Sequence, residues 1–235
     1  MISVEGPRIF VAMDFDNVND CLALARRLSP RECRLKVGKE LFTTAGPAIV
    51  EQLMAMGFEI FLDLKFHDIP NTTAKAVKAA ANLGVWMVNV HASGGERMMS
   101  ASREILEQAS GKRPLLIGVT VLTSLDDSDL QAIGIQESAQ QHVARLARLT
   151  QKCGLDGIVC SAQEARDLRN FLGNDFCLVT PGIRLPDSVK DDQRRTLTPE
   201  EAIQAGSSYL VIGRPITQAI EPVAVCESIN RSLNV

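Results

Sequence analysis

Glu59-Ile60-Phe61-Leu62-Asp63-Leu64-Lys65-Phe66-His67-Asp68-Ile69-Pro70-Asn71-Thr72 passes from a short apolar run straight into charge, and a helical pattern takes over at Thr72. Residues 59–62 read as a buried strand. Residues two apart on a strand point to the same side, so Asp63 and Lys65 are expected to project together from its end, with Asp68 beyond it in the loop. Burying such groups is costly unless they are paired and hydrogen-bonded. A charged cluster closing an apolar strand therefore marks a working site better than a stabilising device. A surface ion pair would account for an isolated Asp-x-Lys, but less well for the whole stretch.

The strand-then-helix unit recurs along the chain. Apolar, β-branched segments at 9–13, 34–37, 59–62, 86–90, 115–119, 157–160, 177–180 and 209–212 read as eight strands. Between and after them, helices are expected at 17–28, 47–56, 72–83, 96–108, 136–152, 163–171, 199–204 and 221–233, several stopped by Gly57, Gly84, Gly154 or Gly206. Short apolar strands alternating with amphipathic helices require a parallel sheet covered on the outside. The prediction is an α/β fold, a single-domain (β/α)8 TIM barrel over 1–235. A doubly wound open sheet is the alternative. No Gly-x-Gly-x-x-Gly follows the first strand and no Walker loop occurs, which counts against the nucleotide folds that use them.

Composition agrees with one large core: 235 residues, 46% hydrophobic and 23% charged, a length at which no second fused enzyme is expected. A net charge of −3 offers no basic field for nucleic acid or an anionic membrane, so a bound phosphate must be held by a few placed groups. The apolar run at 9–13 is too short for a signal-peptide core. The longest charge-free stretch, 79–95, contains Asn82, Asn89, His91 and Ser93 and is not expected to span a bilayer. Six scattered cysteines, without a Cys-x-x-Cys pair or a Cys/His cluster, read as reduced core residues in a cytoplasm and argue against a structural metal.

Barrels carry their sites at the C-terminal ends of the strands. Those ends offer Asp14, Lys36, Asp63 with Lys65, His91, Thr123, Pro181-Gly182 and Gly213-Arg214. Taken singly, Asp14 reads equally as a helix cap and Lys36 as a surface lysine, and His91 as a satisfied core histidine. The loops after strands seven and eight commonly hold phosphate, where backbone N–H groups and an arginine fork suit an anion. The charged interval 184–198 is expected to be a loop over the barrel mouth.

The decapeptide Asp63 to Thr72 resembles the signature of the orotidine 5′-phosphate decarboxylase family, Asp-x-Lys-x-x-Asp-Ile-x-x-Thr, met here by Asp63, Lys65, Asp68, Ile69 and Thr72. At average residue usage, five such positions coincide less than about once in a million starting points. The resemblance runs through Ala12-Met13-Asp14, Leu35-Lys36-Val37-Gly38, Asn89-Val90-His91-Ala92, Thr120-Val121-Leu122-Thr123-Ser124, Thr180-Pro181-Gly182-Ile183-Arg184, Asp192-Gln193-Arg194-Arg195 and Val211-Ile212-Gly213-Arg214-Pro215, and is greatest with the bacterial enzymes. Leu185-Pro186-Asp187 departs from the Pro-Gln-Gly that relatives often carry.

What the resemblance implies is a carboxy-lyase that converts orotidine 5′-phosphate to uridine 5′-phosphate, the last step of uridylate synthesis, with no cofactor. Lys65, Asp63, Asp68 and Lys36 would form the catalytic array. Asp14 and Lys36 would meet the ribose, Thr123 the pyrimidine, and Arg184, Gln193, Gly213 and Arg214 the phosphate or its surroundings. Asp68, Ile69 and Thr72 would reach into the partner's site of a homodimer. Decarboxylation leaves charge on a ring carbon with no adjacent sink, which fixed charges must stabilise. An imine-forming lysine needs a neutral amine, which flanking carboxylates disfavour. The alternatives are a Mg²⁺-dependent sugar-phosphate decarboxylase or synthase of the same superfamily, and a non-catalytic phosphate-binding barrel.

Overall fold

The computed structural model describes residues 6–109, 111–185 and 196–233. Eight parallel strands close into a barrel in chain order: β1 (Ile9–Ala12), β2 (Arg34–Gly38), β3 (Ile60–Phe66), β4 (Met87–His91), β5 (Leu115–Val119), β6 (Gly157–Val159), β7 (Cys177–Thr180) and β8 (Tyr209–Ile212). Closure comes from pairing β1 with β8, Phe10 opposite Val211. This settles the choice between the barrel and the open doubly wound sheet.

The helices cover the outside: α1 (Val18–Ala25), α2 (Lys39–Ala45), α3 (Ala48–Ala55), α4 (Pro70–Asn82), α5 (Gly95–Glu107), α6 (Asp127–Ala132), α7 (Ala139–Lys152), α8 (Ala165–Leu172), α9 (Pro199–Gln204), α10 (Arg214–Thr217) and α11 (Pro222–Ser232). Each expected helix is present. The short α2, α6 and α10 are additional to those expected from the sequence pattern. Six residues or so carry too little period to stand out, and α6 is set by a capping box between Asp126 and Asp129. Helix α1 stops before the expected end because residues 27 and 28 tighten into turns, Arg27 N–H bonding Leu24 O and Leu28 N–H bonding Ala25 O. Helix α4 starts early, with Pro70 in the first turn where its missing N–H costs nothing.

Alternation along the strands sorts the core in two. Ile9, Val11, Leu35, Ile60 and Leu62 face the helices. Phe10, Ala12, Phe61, Met87, Ile117, Cys177, Val179, Tyr209 and Val211 fill the inside. At the N-terminal end of the barrel the ring of Phe10 lies 5.4 Å from Phe61 and 5.6 Å from Tyr209. The buried guanidinium of Arg34 lies 4.1 Å from the Trp86 ring centre and pairs with Glu59 at 2.7 Å. Close packing also uses glycine: a Cβ at Gly157 would come within 2.4 Å of Cys177 O. All six cysteines are buried and unbridged, as expected for core residues. Among the described residues no helix is long and apolar enough to cross a membrane.

Strand β3 departs from its expected form in a way that shapes the site. It runs on to Phe66, so Asp63 and Lys65 lie within it. Against β4, Leu62 pairs with Val88 but Phe66 with Val90, so four residues of β3 advance while β4 advances two. Lys65 sits at φ 50°, the only described non-glycine residue with positive φ.

Candidate active site

A cavity of about 700 Å³ opens at the C-terminal ends of the strands, a size that suits a small organic ligand. Asp14, Lys36, Asp63, Lys65, Thr123, Arg184, Gly213 and Arg214 all line it. The apolar wall comes from Phe15, Val121, Leu122 and Val211. Val121, Leu122 and Val211 lie in stretches that carry the family resemblance but were not singled out as site residues, and Phe15 carried no signal beyond following the first strand.

The charges form a chain of alternating sign. Lys36 Nζ lies 3.1 Å from Asp14 Oδ1 and 3.4 Å from Asp63 Oδ2, and Lys65 Nζ lies 2.7 Å from Asp63 Oδ1. Asn89 Nδ2 donates to Asp63 Oδ1 at 2.7 Å, and the Lys65 backbone N–H donates to Asn89 Oδ1 at 2.8 Å. Burial by itself would raise the Asp63 pKa, but Lys36, Lys65 and Asn89 outweigh it and hold the carboxyl below its usual range. Burial likewise opposes the Lys36 charge, and Asp63 with Asp14 reverses that effect, leaving its pKa above the ordinary lysine value. Gly38 keeps the Lys36–Asp14 contact clear, since a Cβ there would stand 3.3 Å from both charged atoms.

Not every expected residue gathers here. Asp68, Ile69 and Thr72 lie outside this cavity and are exposed, Ile69 by 67%. Asp68 Oδ1 accepts from the Ile69 N–H at 2.6 Å, just ahead of α4. Gln193 and most of the charged loop, 186–195, lie outside the described residues; the loop's flanks are joined where Arg184 N–H bonds Leu197 O at 3.0 Å. His91 ends β4 beside the site, its Nδ1 2.9 Å from Ser93 Oγ and its ring 5.5 Å from that of His67. Burial first, then the charges of His67, Lys65 and Lys39, push its pKa down to about 4.

Fold and site together define a barrel protein whose charged cup, framed by arginines at the ends of β7 and β8, fits a small anionic ligand. Its relationships are more specific. The chain belongs to the Orotidine 5'-phosphate decarboxylase / HUMPS family, whose model matches residues 7–229. It is 65% identical over 226 residues to the orotidine 5'-phosphate decarboxylase of Vibrio vulnificus, covering 96% of this chain and 97% of that protein. With the namesake from Teredinibacter turnerae the figures are 62% over 232 residues, 99% and 100%. Two crystal structures, each 38% identical, superpose closely. The orotidine 5'-phosphate decarboxylase of Lactobacillus acidophilus gives a TM-score of 0.86 over 97% of this chain and 99% of that one. An uncharacterized conserved protein from Geobacillus kaustophilus gives 0.84 over 95% and 99%. The expectations of family and fold are met, and the relatives are named as decarboxylases, which are carboxy-lyases.

Proposed function

We propose that this chain decarboxylates orotidine 5′-phosphate to uridine 5′-phosphate, completing uridylate synthesis, without a metal or organic cofactor. The observation that carries the reading is the Lys36–Asp63–Lys65 chain, one carboxylate held between two ammonium groups at 3.4 and 2.7 Å in a cavity of nucleotide size. The pyrimidine carboxylate would be bound against Asp63 and departs as its bond to C6 breaks. The electron pair left on C6 faces the Lys65 ammonium, which stabilises the carbanion and then transfers its proton to that carbon. Fixed charges stabilise most strongly where no reorganisation is needed, and the paired carboxylate supplies that rigidity.

The remaining residues bind. Asp14 and Lys36 engage the ribose hydroxyls and Thr123 the pyrimidine edge. Arg214 and Gly213, with Gln193 and the neighbouring Arg184, hold the phosphate. Asp68, Ile69 and Thr72 complete the site of a second subunit, a reading supported by their exposure on a chain whose own cavity they do not line.

The test is the ultraviolet absorbance of orotidine 5′-phosphate mixed with the protein in EDTA. A change to the spectrum of uridine 5′-phosphate is expected. Activity abolished by EDTA and restored by Mg²⁺ would favour the metal-dependent sugar-phosphate relatives instead.

A further inference from the structure

Asn89 is completely buried in β4 between Val88 and Val90, where an apolar residue would be the ordinary choice. Its amide spans two points of β3. The Nδ2 donates to Asp63 Oδ1 and the Oδ1 accepts from the Lys65 backbone N–H, at 2.7 and 2.8 Å. Both directions are forced, because a carboxylate oxygen only accepts and a backbone N–H only donates.

This bridge falls where the backbone ladder gives way. Between Leu62 and Phe66 the register with β4 slips, and Lys65 turns to φ 50°. A residue other than glycine is disfavoured in the left-handed region, and a part-buried N–H outside the ladder needs its own partner. The Asn89 side chain provides one. It also divides the work of Asp63: Lys65 Nζ and Asn89 share Oδ1, while Oδ2 faces Lys36.

We infer that Asn89 is a positioning residue for the reaction, pinning the left-handed turn at Lys65 and the Asp63 carboxylate so that the ammonium meets the reacting carbon. The inference rests on the reading of Lys65 as proton donor. Asn89 is not among the residues that line the cavity; it acts through its two neighbours.

Two variants test it. Asn89→Ala removes both bonds, and misplacing the donor should lower kcat about 100-fold while KM and the affinity for uridine 5′-phosphate stay within about threefold. Retained binding shows that the variant is folded. Asn89→Asp is the sharper probe. Ionised, it sets a second carboxylate against Asp63; protonated, it donates to Asp63 and still accepts from the Lys65 N–H. Its kcat relative to wild type should therefore climb at least tenfold as pH falls from about 8 to 5.5, a rescue that a merely structural role would not produce. Equal losses in kcat and binding for Asn89→Ala, wild-type kcat for Asn89→Ala or, at pH 8, for Asn89→Asp, or a flat pH ratio for Asn89→Asp would overturn the inference. Failure of the wild type to release CO₂ from orotidine 5′-phosphate would instead remove the proposed function, and the inference with it.

Discussion

Lys36 Nζ lies 3.4 Å from Asp63 Oδ2, a contact made across neighbouring strands by the register that sets Gly38 opposite Asp63. Both side chains are nearly buried, at 10% and 12% exposure, while the other partner of Lys36, Asp14, is 61% exposed. Neutralising Asp63 would leave two ammonium groups facing each other around it. We expect Asp63→Asn to lower stability by about 3 kcal/mol, the usual result of stripping one member from a buried pair. Urea unfolding at neutral pH measures it, and an unchanged midpoint would show that these charges do not support one another.

Lys65 and Arg214 should separate chemistry from binding. Lys65→Ala is expected to abolish turnover while uridine 5′-phosphate still binds. Arg214→Ala should weaken nucleotide binding by about 2 kcal/mol, and an unchanged KM would sink its phosphate role. The backbone at Lys65 adds a second contrast. Because glycine tolerates positive φ, Lys65→Gly should be more stable than Lys65→Ala by about 1 kcal/mol, read as a shift in thermal midpoint.

His91 predicts a pH dependence of stability. Its folded pKa of about 4 lies below the unfolded value of 6.5, so between them the unfolded state binds more protons. The stabilisation from His91 is full above the unfolded pKa and is lost as pH falls toward the folded one. Replacing it by Asn, which still reaches Ser93, should reduce the stability lost between pH 7 and pH 5 by about 1–2 kcal/mol, allowing for solvent screening. Denaturation curves at the two pH values that run parallel for wild type and variant would remove this role.

Sharing of sites between subunits can be tested by complementation. If Asp68 completes a partner's site as proposed, Lys65→Ala and Asp68→Ala would damage different subunits' contributions to one site, and an equal mixture that exchanges freely should recover up to about a quarter of wild-type activity, through heterodimers with one intact site. Mass spectrometry of differently tagged chains verifies the exchange. Exchange without recovered activity would place Asp68 in its own subunit's chemistry.

Much of the molecule was legible in the chain. The strands read correctly because each is a short apolar run bounded by turns, and Asp14, Lys36 and Arg214 were found simply by reading where those runs end. Local pattern failed at β3. Nothing in Asp63-Leu64-Lys65 announces a left-handed lysine, and the side chain that bonds its N–H lies more than twenty positions away; the one visible sign was an amide inside the apolar run Met87-Val88-Asn89-Val90. The short helices escaped for lack of period. Asp68 lies outside the cavity in this chain, and no periodicity along the sequence distinguishes a residue that lines it from one that does not.

The aromatic floor of Phe10, Phe61, Tyr209 and Trp86, with Arg34 against it at the N-terminal end of the barrel, leaves the cup open, among the described residues, at the C-terminal end of the strands. A product formed beside Lys65, as proposed, would not drain along the axis. Under the proposed reaction it would leave past the bound nucleotide, so arrival and departure would share one passage, and the shape of the cup would order the escape of products as much as their affinities do.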